Sequence, residues 1–333
     1  MFDPFPILPH QVKNYVLNSV IGQGGFAIVY KATNLLYKMD FAVKVVGHSR
    51  LSEHHALTYE AEVNSLIKLD HPNVIRIYDF FTEDDYMFMV LEYCGGGSLE
   101  DKIQKNELIA SSEKKYICSQ IISALKYCNQ MSIAHRDIKT SNILFDGNGR
   151  VKVADFGLSL YFNHDDDNIN KFQGSLSYSS PEVCSKKSFN PFKSDIWSLG
   201  VLFYRLFSSS YPFEGRTRQE LKSRIIEGFY SEKLKGQISK VVRQMLSVNP
   251  DERPTINQLS EMNIFAQTSP CQPLMRSSSV TGVINHQFQI QVGYKRKPAK
   301  NVNIPNADVN PNPLAKCINV HRSHSFLTSP LTT

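Results

Sequence analysis

The chain has 333 residues, 41% of them hydrophobic and 11% aromatic, with a formal net charge of +6. That much apolar material excludes a wholly disordered chain and is enough for roughly two core-building units. Seven of the 37 basic residues but only one of the 31 acidic residues fall in 266–333, leaving 30 of each in 1–265, so the charge excess is confined to the C-terminal stretch.

The first residues, Met1 to Pro9, lack a basic n-region and carry three prolines, which is not the pattern of a signal peptide. From Tyr15 to about residue 82 the pattern is mainly strands. Ile21–Ala32 and Phe41–Val46 are rich in β-branched and aromatic residues and are broken by glycines. One helix interrupts them over Leu57–Leu69, where Val63, Leu66 and Ile67 recur at helical spacing. Tyr86–Tyr93 reads as a further strand, ended by Gly95-Gly96-Gly97. Helices are then expected over Ser111–Met131, Asp195–Phe207, Thr217–Gly228, Ile238–Val248 and Thr255–Met262, the second of them apolar on most sides. The fold class is therefore α+β: a small β-rich lobe with one helix, a glycine-rich joint near 94–98, and a larger, mainly helical lobe. From about Ala266 Pro, Asn, Ser and Gln dominate and no period persists, so 266–333 reads as mostly disordered, with Gln287–Tyr294 as a short strand candidate. No apolar run is long enough to span a bilayer. The six cysteines are far apart with no CxxC, as expected of reduced thiols in the cytoplasm or nucleus.

Four short runs carry chemistry. Gly22-Gln23-Gly24-Gly25-Phe26-Ala27 lets backbone N–H groups approach phosphate oxygens with no Cβ in the way. The Ile28-Val29-Tyr30 that follows extends a strand, so the loop is a β-turn-β flap; a dinucleotide-binding loop would open a helix instead. Ala42-Val43-Lys44 sets a lysine in an apolar strand, which costs energy unless the ammonium is paired. It reads either as a surface lysine on an edge strand or as one paired with a helix carboxylate, Glu62 or its rival Glu60. His135-Arg136-Asp137-Ile138-Lys139-Thr140-Ser141-Asn142 places a carboxylate, a cation and an amide within one short loop. Phosphoryl transfer needs a proton acceptor, a positive charge on the moving phosphate and metal ligands; Asp137, Lys139 and Asn142 match those needs. Asp155-Phe156-Gly157 follows, with Asp155 as a Mg²⁺ ligand beside Asn142.

Taken in this order, the runs make residues 15–265 resemble the eukaryotic protein kinase catalytic domain, with lobes at 15–93 and 98–265, after an extension at 1–14 and before a basic tail at 266–333. The body looks nearest to the calcium/calmodulin-dependent and AMP-activated group. Ser180-Pro181-Glu182, Asp195-Ile196-Trp197-Ser198-Leu199-Gly200 and Arg253 look like further family positions, Arg253 being the structural partner of Glu182. Glu62 stands at the family's usual offset before His71-Pro72-Asn73, which favours it over Glu60. The resemblance implies ATP and Mg²⁺ as cofactors. It places the adenine between Ile21, Val29, Ala42 and Leu144, with Leu91 as gatekeeper and backbone bonds from Glu92 and Cys94; the Glu92 side chain itself reads plainly as a solvated hinge residue. It also implies a stacked spine of Leu66, Ile77, His135 and Phe156.

Lys139 and Gly174-Ser175 follow the Ser/Thr pattern, with Ser175 bridging Asp137 and Lys139, so protein Ser/Thr hydroxyls are the expected acceptors. A nucleotide-binding scaffold without catalysis, a pseudokinase, is the alternative; the presence of Lys44, Asp137, Asn142 and Asp155 favours the enzyme. Ser98, Ser141 and Arg205 stand where arginine-directed members carry acids, so a strong preference for an upstream arginine is not expected. Phe162–Gln173 contains no Ser, Thr or Tyr, so activation is expected without the usual loop phosphate; Asp165–Asp167 either pairs with Arg136 or forms a solvated loop, and Ser159, Ser175, Ser177 and Ser179 remain as phosphorylation candidates. Tyr294–Lys300 is a basic cluster suited to an adaptor or an anionic partner, with nucleic acid not among the expected partners.

Overall fold

The computed structural model describes residues 6–24, 27–47, 53–107, 110–161 and 175–266, all within one compact unit. The strand candidate at 287–294, the acidic run at 165–167, Gly25 and the basic cluster at 294–300 lie outside the described residues.

The first lobe is a six-stranded antiparallel sheet. Its strands are β1 (His10–Val12), β2 (Tyr15–Gln23), β3 (Ala27–Asn34), β4 (Asp40–Gly47), β5 (Ile77–Glu83) and β6 (Tyr86–Glu92), in the order β1-β2-β3-β4-β6-β5. Helix α1 (Glu53–Lys68) lies between β4 and β5 in the chain. The period-2 alternation of strands decides which side chains face the cleft. Phe41, Val43 and Val45 of β4 join Tyr30, Ala32, Phe88 and Val90 in one apolar cluster inside the sheet. The opposite face of the same strands carries Val29, Ala42, Lys44 and Leu91, with Val29 opposite Lys44 and Ala42 opposite Leu91 in register. One register thus buries the lobe's own core and turns the lysine inward.

The second lobe holds α2 (Leu99–Gln104), α3 (Ser111–Gln130), β7 (Ile133–Ala134), β8 (Ile143–Phe145), β9 (Val151–Val153), β10 (Leu160–Tyr161), α4 (Pro181–Cys184), α5 (Pro191–Ser208), α6 (Arg218–Glu227), α7 (Gly236–Met245), α8 (Ile256–Glu261) and α9 (Asn263–Ala266). The local signals are plain. Ser98 and Asp101 form a reciprocal cap on α2, Thr255 and Gln258 do the same on α8, and Asn190 caps α5 just before Pro191 at its first turn. Helix α5 is buried from Ser194 through Leu206, as its apolar run implies, and anchors the lobe's core with Trp197, Leu199 and Phe203. Among the described residues no helix is long and apolar enough to cross a membrane.

Gly200 lets α5 approach the end of α7: a Cβ there would fall 2.9 Å from Met245 Cβ and 3.0 Å from Leu246 Cδ2. Gly200→Val should therefore overpack this contact and lower stability by about 1–3 kcal/mol. Thermal unfolding should show a Tm lower by several degrees, and an unchanged Tm would mean that the two helices separate without cost.

Candidate active site

A cleft of about 860 Å³ is lined by the turn after β2, the inner faces of β3, β4 and β6, the segment 92–98, and the loops around Asn142 and Asp155. Its walls include Ile21, Gly22, Gly24, Val29, Ala42, Lys44, Glu62, Leu91, Glu92, Cys94, Asn142, Leu144 and Asp155. The turn is a strand-to-strand flap: Gly22 pairs with Val29 and Gln23 with Ile28, and the Gly24 N–H donates to Ala27 O at 2.8 Å.

Lys44 Nζ lies 2.6 Å from Glu62 Oε2 and 3.6 Å from Asp155 Oδ1. The lysine is therefore not an exposed edge residue; it is paired with Glu62. Burial works against its charge, but Glu62 and Asp155 outweigh this and hold its pKa above the ordinary lysine range. Burial raises the Glu62 carboxyl, with Lys44 opposing that rise. Partial desolvation also acts upward on Asp155, yet Lys44 and Lys139 draw it below the usual carboxylate range.

The Glu92 side chain departs from the solvated hinge residue expected of it. It forms an ion pair with Lys152 of β9 at 2.8 Å, and both side chains are largely buried. The segment after β6 is also clamped to β8 through the backbone: Gly96 N–H donates to Phe145 O and Phe145 N–H to Gly97 O, each at 2.9 Å. Only glycine fits at position 96, where a Cβ would sit 2.8 Å from Phe145 Cβ. The Cys94 thiol at the cleft wall is pushed up to about 12, mainly by burial, and is not a reactive nucleophile.

In the loop that supplies Asn142 to the cleft, Lys139 Nζ bonds Asp137 Oδ2 at 2.5 Å, and Asn142 Nδ2 donates to Asp137 O at 2.9 Å and to Asp137 Oδ2 at 3.2 Å. Asn142 thereby presents its amide oxygen elsewhere. Its backbone O accepts from Ala154 N–H at 2.9 Å, which brings it beside Asp155. Ser175 bonds neither Asp137 nor Lys139. The expected bridge gives way to the direct pair, and the Ser175 carbonyl instead accepts from Tyr178 N–H and Ser179 Oγ. Asp155 has φ +65° and Arg136 φ +66°, left-handed values that the surrounding contacts must maintain.

Those contacts are dense. Phe156 is fully buried, its ring 4.6 Å from that of His135, and Leu66 and Ile77 belong to the same buried cluster. Asp195, at the start of α5, accepts the backbone N–H groups of His135 and Arg136 at 2.8 Å each. It therefore holds the loop that carries Asp137, a role not evident from the local sequence. Ser159 donates to Ser65 of α1 at 2.8 Å; it and Ser179 are buried, so neither is an open phosphorylation site in this conformation. Arg136 donates from Nη1 to Leu158 O at 3.4 Å.

A second unforeseen constellation borders the cleft. Arg205 pairs with Glu100 through two hydrogen bonds, of 3.1 Å from Nε and 2.5 Å from Nη2. Glu100 also accepts from Thr140, whose hydroxyl lies 2.8 Å from Tyr178 Oη. The Glu100 carboxylate is thus neutralised by Arg205 and is not left open to a cation from outside.

The donor set fits a divalent magnesium ion shared with phosphates. Asn142 and Asp155 supply oxygen ligands only, and such sites use one or two protein oxygens. The apolar slot between Val29, Ala42, Leu91 and Leu144, opening beside a glycine turn and a held ammonium, fits a purine nucleotide.

The sequence pattern of the protein kinase domain matches residues 15–265. Serine/threonine-protein kinase SIK1 of Rattus norvegicus is 31% identical over 288 residues, covering 84% of this chain and 37% of that protein. Serine/threonine-protein kinase SIK2 of Gallus gallus is 33% identical over 259 residues, covering 76% of this chain and 32% of that protein. The chain thus spans about a third of the length of these curated relatives.

Proposed function

The chain belongs to the protein kinase family, and on that premise we propose that it is a serine/threonine protein kinase transferring the γ-phosphate of ATP to hydroxyls of protein substrates. The observation that carries this reading is Lys44 held between Glu62 and Asp155 across the cleft from the Asp137–Lys139–Asn142 cluster. Asn142 links the two groups, lining the cleft and bonding Asp137, so the residue types that phosphoryl transfer needs lie close together.

In this reading Ile21, Val29, Ala42, Leu91 and Leu144 hold the adenine, and the backbone of Glu92 and Cys94 meets its edge. Gly22, Gly24 and Gly25 cover the phosphates, and Lys44, oriented by Glu62, positions them. Asn142 and Asp155 hold Mg²⁺, which supplies charge neutralisation at the transferred phosphoryl group. Asp137 orients the acceptor hydroxyl and takes its proton as the new O–P bond forms and the bond to the ADP oxygen breaks. Lys139, bonded to Asp137, faces the phosphoryl oxygens.

The substrates are protein Ser/Thr residues without a strong upstream arginine requirement, because Glu100 is already paired with Arg205. The four described cysteines are unpaired thiols, which suits the reducing cytoplasm or nucleus. The basic run at 294–300 meets an adaptor or anionic partner.

Asp155→Asn tests the assignment. With radiolabelled ATP and Mg²⁺, the parent chain should label a protein substrate and the variant should lose most of that activity, by about 10²-fold or more. Equal labelling by both proteins would assign the activity to a contaminant.

A further inference from the structure

Away from the cleft, a groove of about 450 Å³ lies where the start of α3, the end of α5, the segment before α7 and helix α9 meet. Its floor is apolar, made by Phe207, Leu234, Ile238 and Ile264. Its rim carries Lys115, Lys233 and Lys235. A fourth lysine, Lys114, lies with its ammonium 5.7 Å from the centre of the Phe207 ring.

Among the described residues none of these four lysines forms an ion pair; the Lys233 ammonium donates to the Ser210 hydroxyl at 3.1 Å. Of the acidic residues next to them in sequence, Glu232 is paired with Arg243 at 2.7 Å, and Glu113 does not line the groove. Helices α3 and α7 begin here without a side-chain cap, so their first-turn N–H groups add to the positive field. This contrasts with the body as a whole, where basic and acidic residues are equal in number. An apolar floor under an unneutralised cationic rim is complementary to a chain that presents carboxylates beside spaced apolar side chains. The chain's own 267–333 does not meet that requirement, with seven basic residues and one acid.

We propose that this groove is a docking site for an acidic peptide segment of a partner protein, its apolar side chains seated on Phe207, Leu234, Ile238 and Ile264 and its carboxylates on Lys115, Lys233 and Lys235. The site is separate from the catalytic cleft and does not depend on phosphoryl transfer.

Panning of random dodecapeptides on phage against the full chain, with the variant K115E/K233E/K235E as counter-selection, tests it. The three lysines are solvent-accessible and outside the catalytic machinery, so the variant should keep its Tm and its kinase activity. Enriched peptides should be acidic with spaced apolar residues. Their affinity, read by fluorescence anisotropy, should fall about tenfold or more in the triple variant, weaken with added salt, and be unaffected by ATP. Enrichment of basic or uncharged peptides, equal affinity for the variant, or no selective enrichment would each overturn the proposal. Selective binding of phosphatidylserine vesicles without acidic-peptide enrichment would also overturn it, by assigning the groove to a lipid surface.

Discussion

Asp137→Asn should lower kcat by about 10²–10⁴-fold, the usual contribution of a positioned general base, while leaving the KM for ATP close to that of the parent. Asparagine keeps the shape of the side chain but cannot take the proton of the acceptor hydroxyl. Its neighbours explain why no other group substitutes for it. Lys139, 2.5 Å away, is a cation, and Asn142, 3.2 Å away, turns an amide donor toward the same oxygen. None of the residues proposed to hold the nucleotide is replaced, so its binding should survive. Asp137 is buried, and its replacement leaves the Lys139 ammonium without its partner. A modest loss of Tm is therefore expected beside the much larger loss of turnover. Steady-state kinetics with a nucleotide-binding titration separates the two effects. A kcat within a few-fold of the parent would remove Asp137 from the reaction, and a parallel loss of nucleotide binding would make the defect one of folding.

How much of this was legible in the sequence depends on the separation of the groups involved. Asp137, Lys139 and Asn142 sit in one loop, so their spacing alone announces a cluster. Lys44 was legible as an anomaly, a charge in an apolar strand; the choice of Glu62 over Glu60 rested on family resemblance and is visible directly only in the folded chain. The pairs Glu92–Lys152 and Glu100–Arg205 were not legible. Their members lie on elements far apart in sequence, and each residue alone looks like an ordinary surface charge. Asp195 was placed at the start of a buried helix, but nothing in the local pattern says that its carboxylate receives two N–H groups from a distant loop. Strand β5 was not singled out because Asp79 and Thr82 interrupt its apolar run, and its register shifts between Ile77 and Asp79. Helix α2 is short, yet Ser98 and Asp101 form a capping signature that would have marked its start.

Breaking the Glu182–Arg253 pair should be strongly destabilising, costing about 3–5 kcal/mol for Glu182→Gln. Arg253 is 1% exposed. Its two Nη atoms bond the two Glu182 oxygens at 2.7 and 2.8 Å, its Nε donates to Ser247 O at 2.8 Å, and Nη1 also donates to Lys193 O at 2.9 Å. The guanidinium carbon lies 5.0 Å from the centre of the Trp197 ring. Three separate segments, α4, α5 and the turn after α7, converge on this one cation. Removal of Glu182's charge leaves the guanidinium desolvated and uncompensated, and that is the source of the large cost. At roughly 2–4 °C per kcal/mol for a domain of this size, Tm should fall by about 6–20 °C. The double variant E182Q/R253M, which removes the stranded charge as well, should lose less than the sum of the two single variants. Neither residue lines the candidate cleft, so well below the lowered Tm each variant should keep a kcat near that of the parent. Thermal melts and low-temperature kinetics measured on the same samples decide the matter: full stability with lost turnover would make the pair catalytic, whereas lost stability with retained turnover is what a purely structural brace produces.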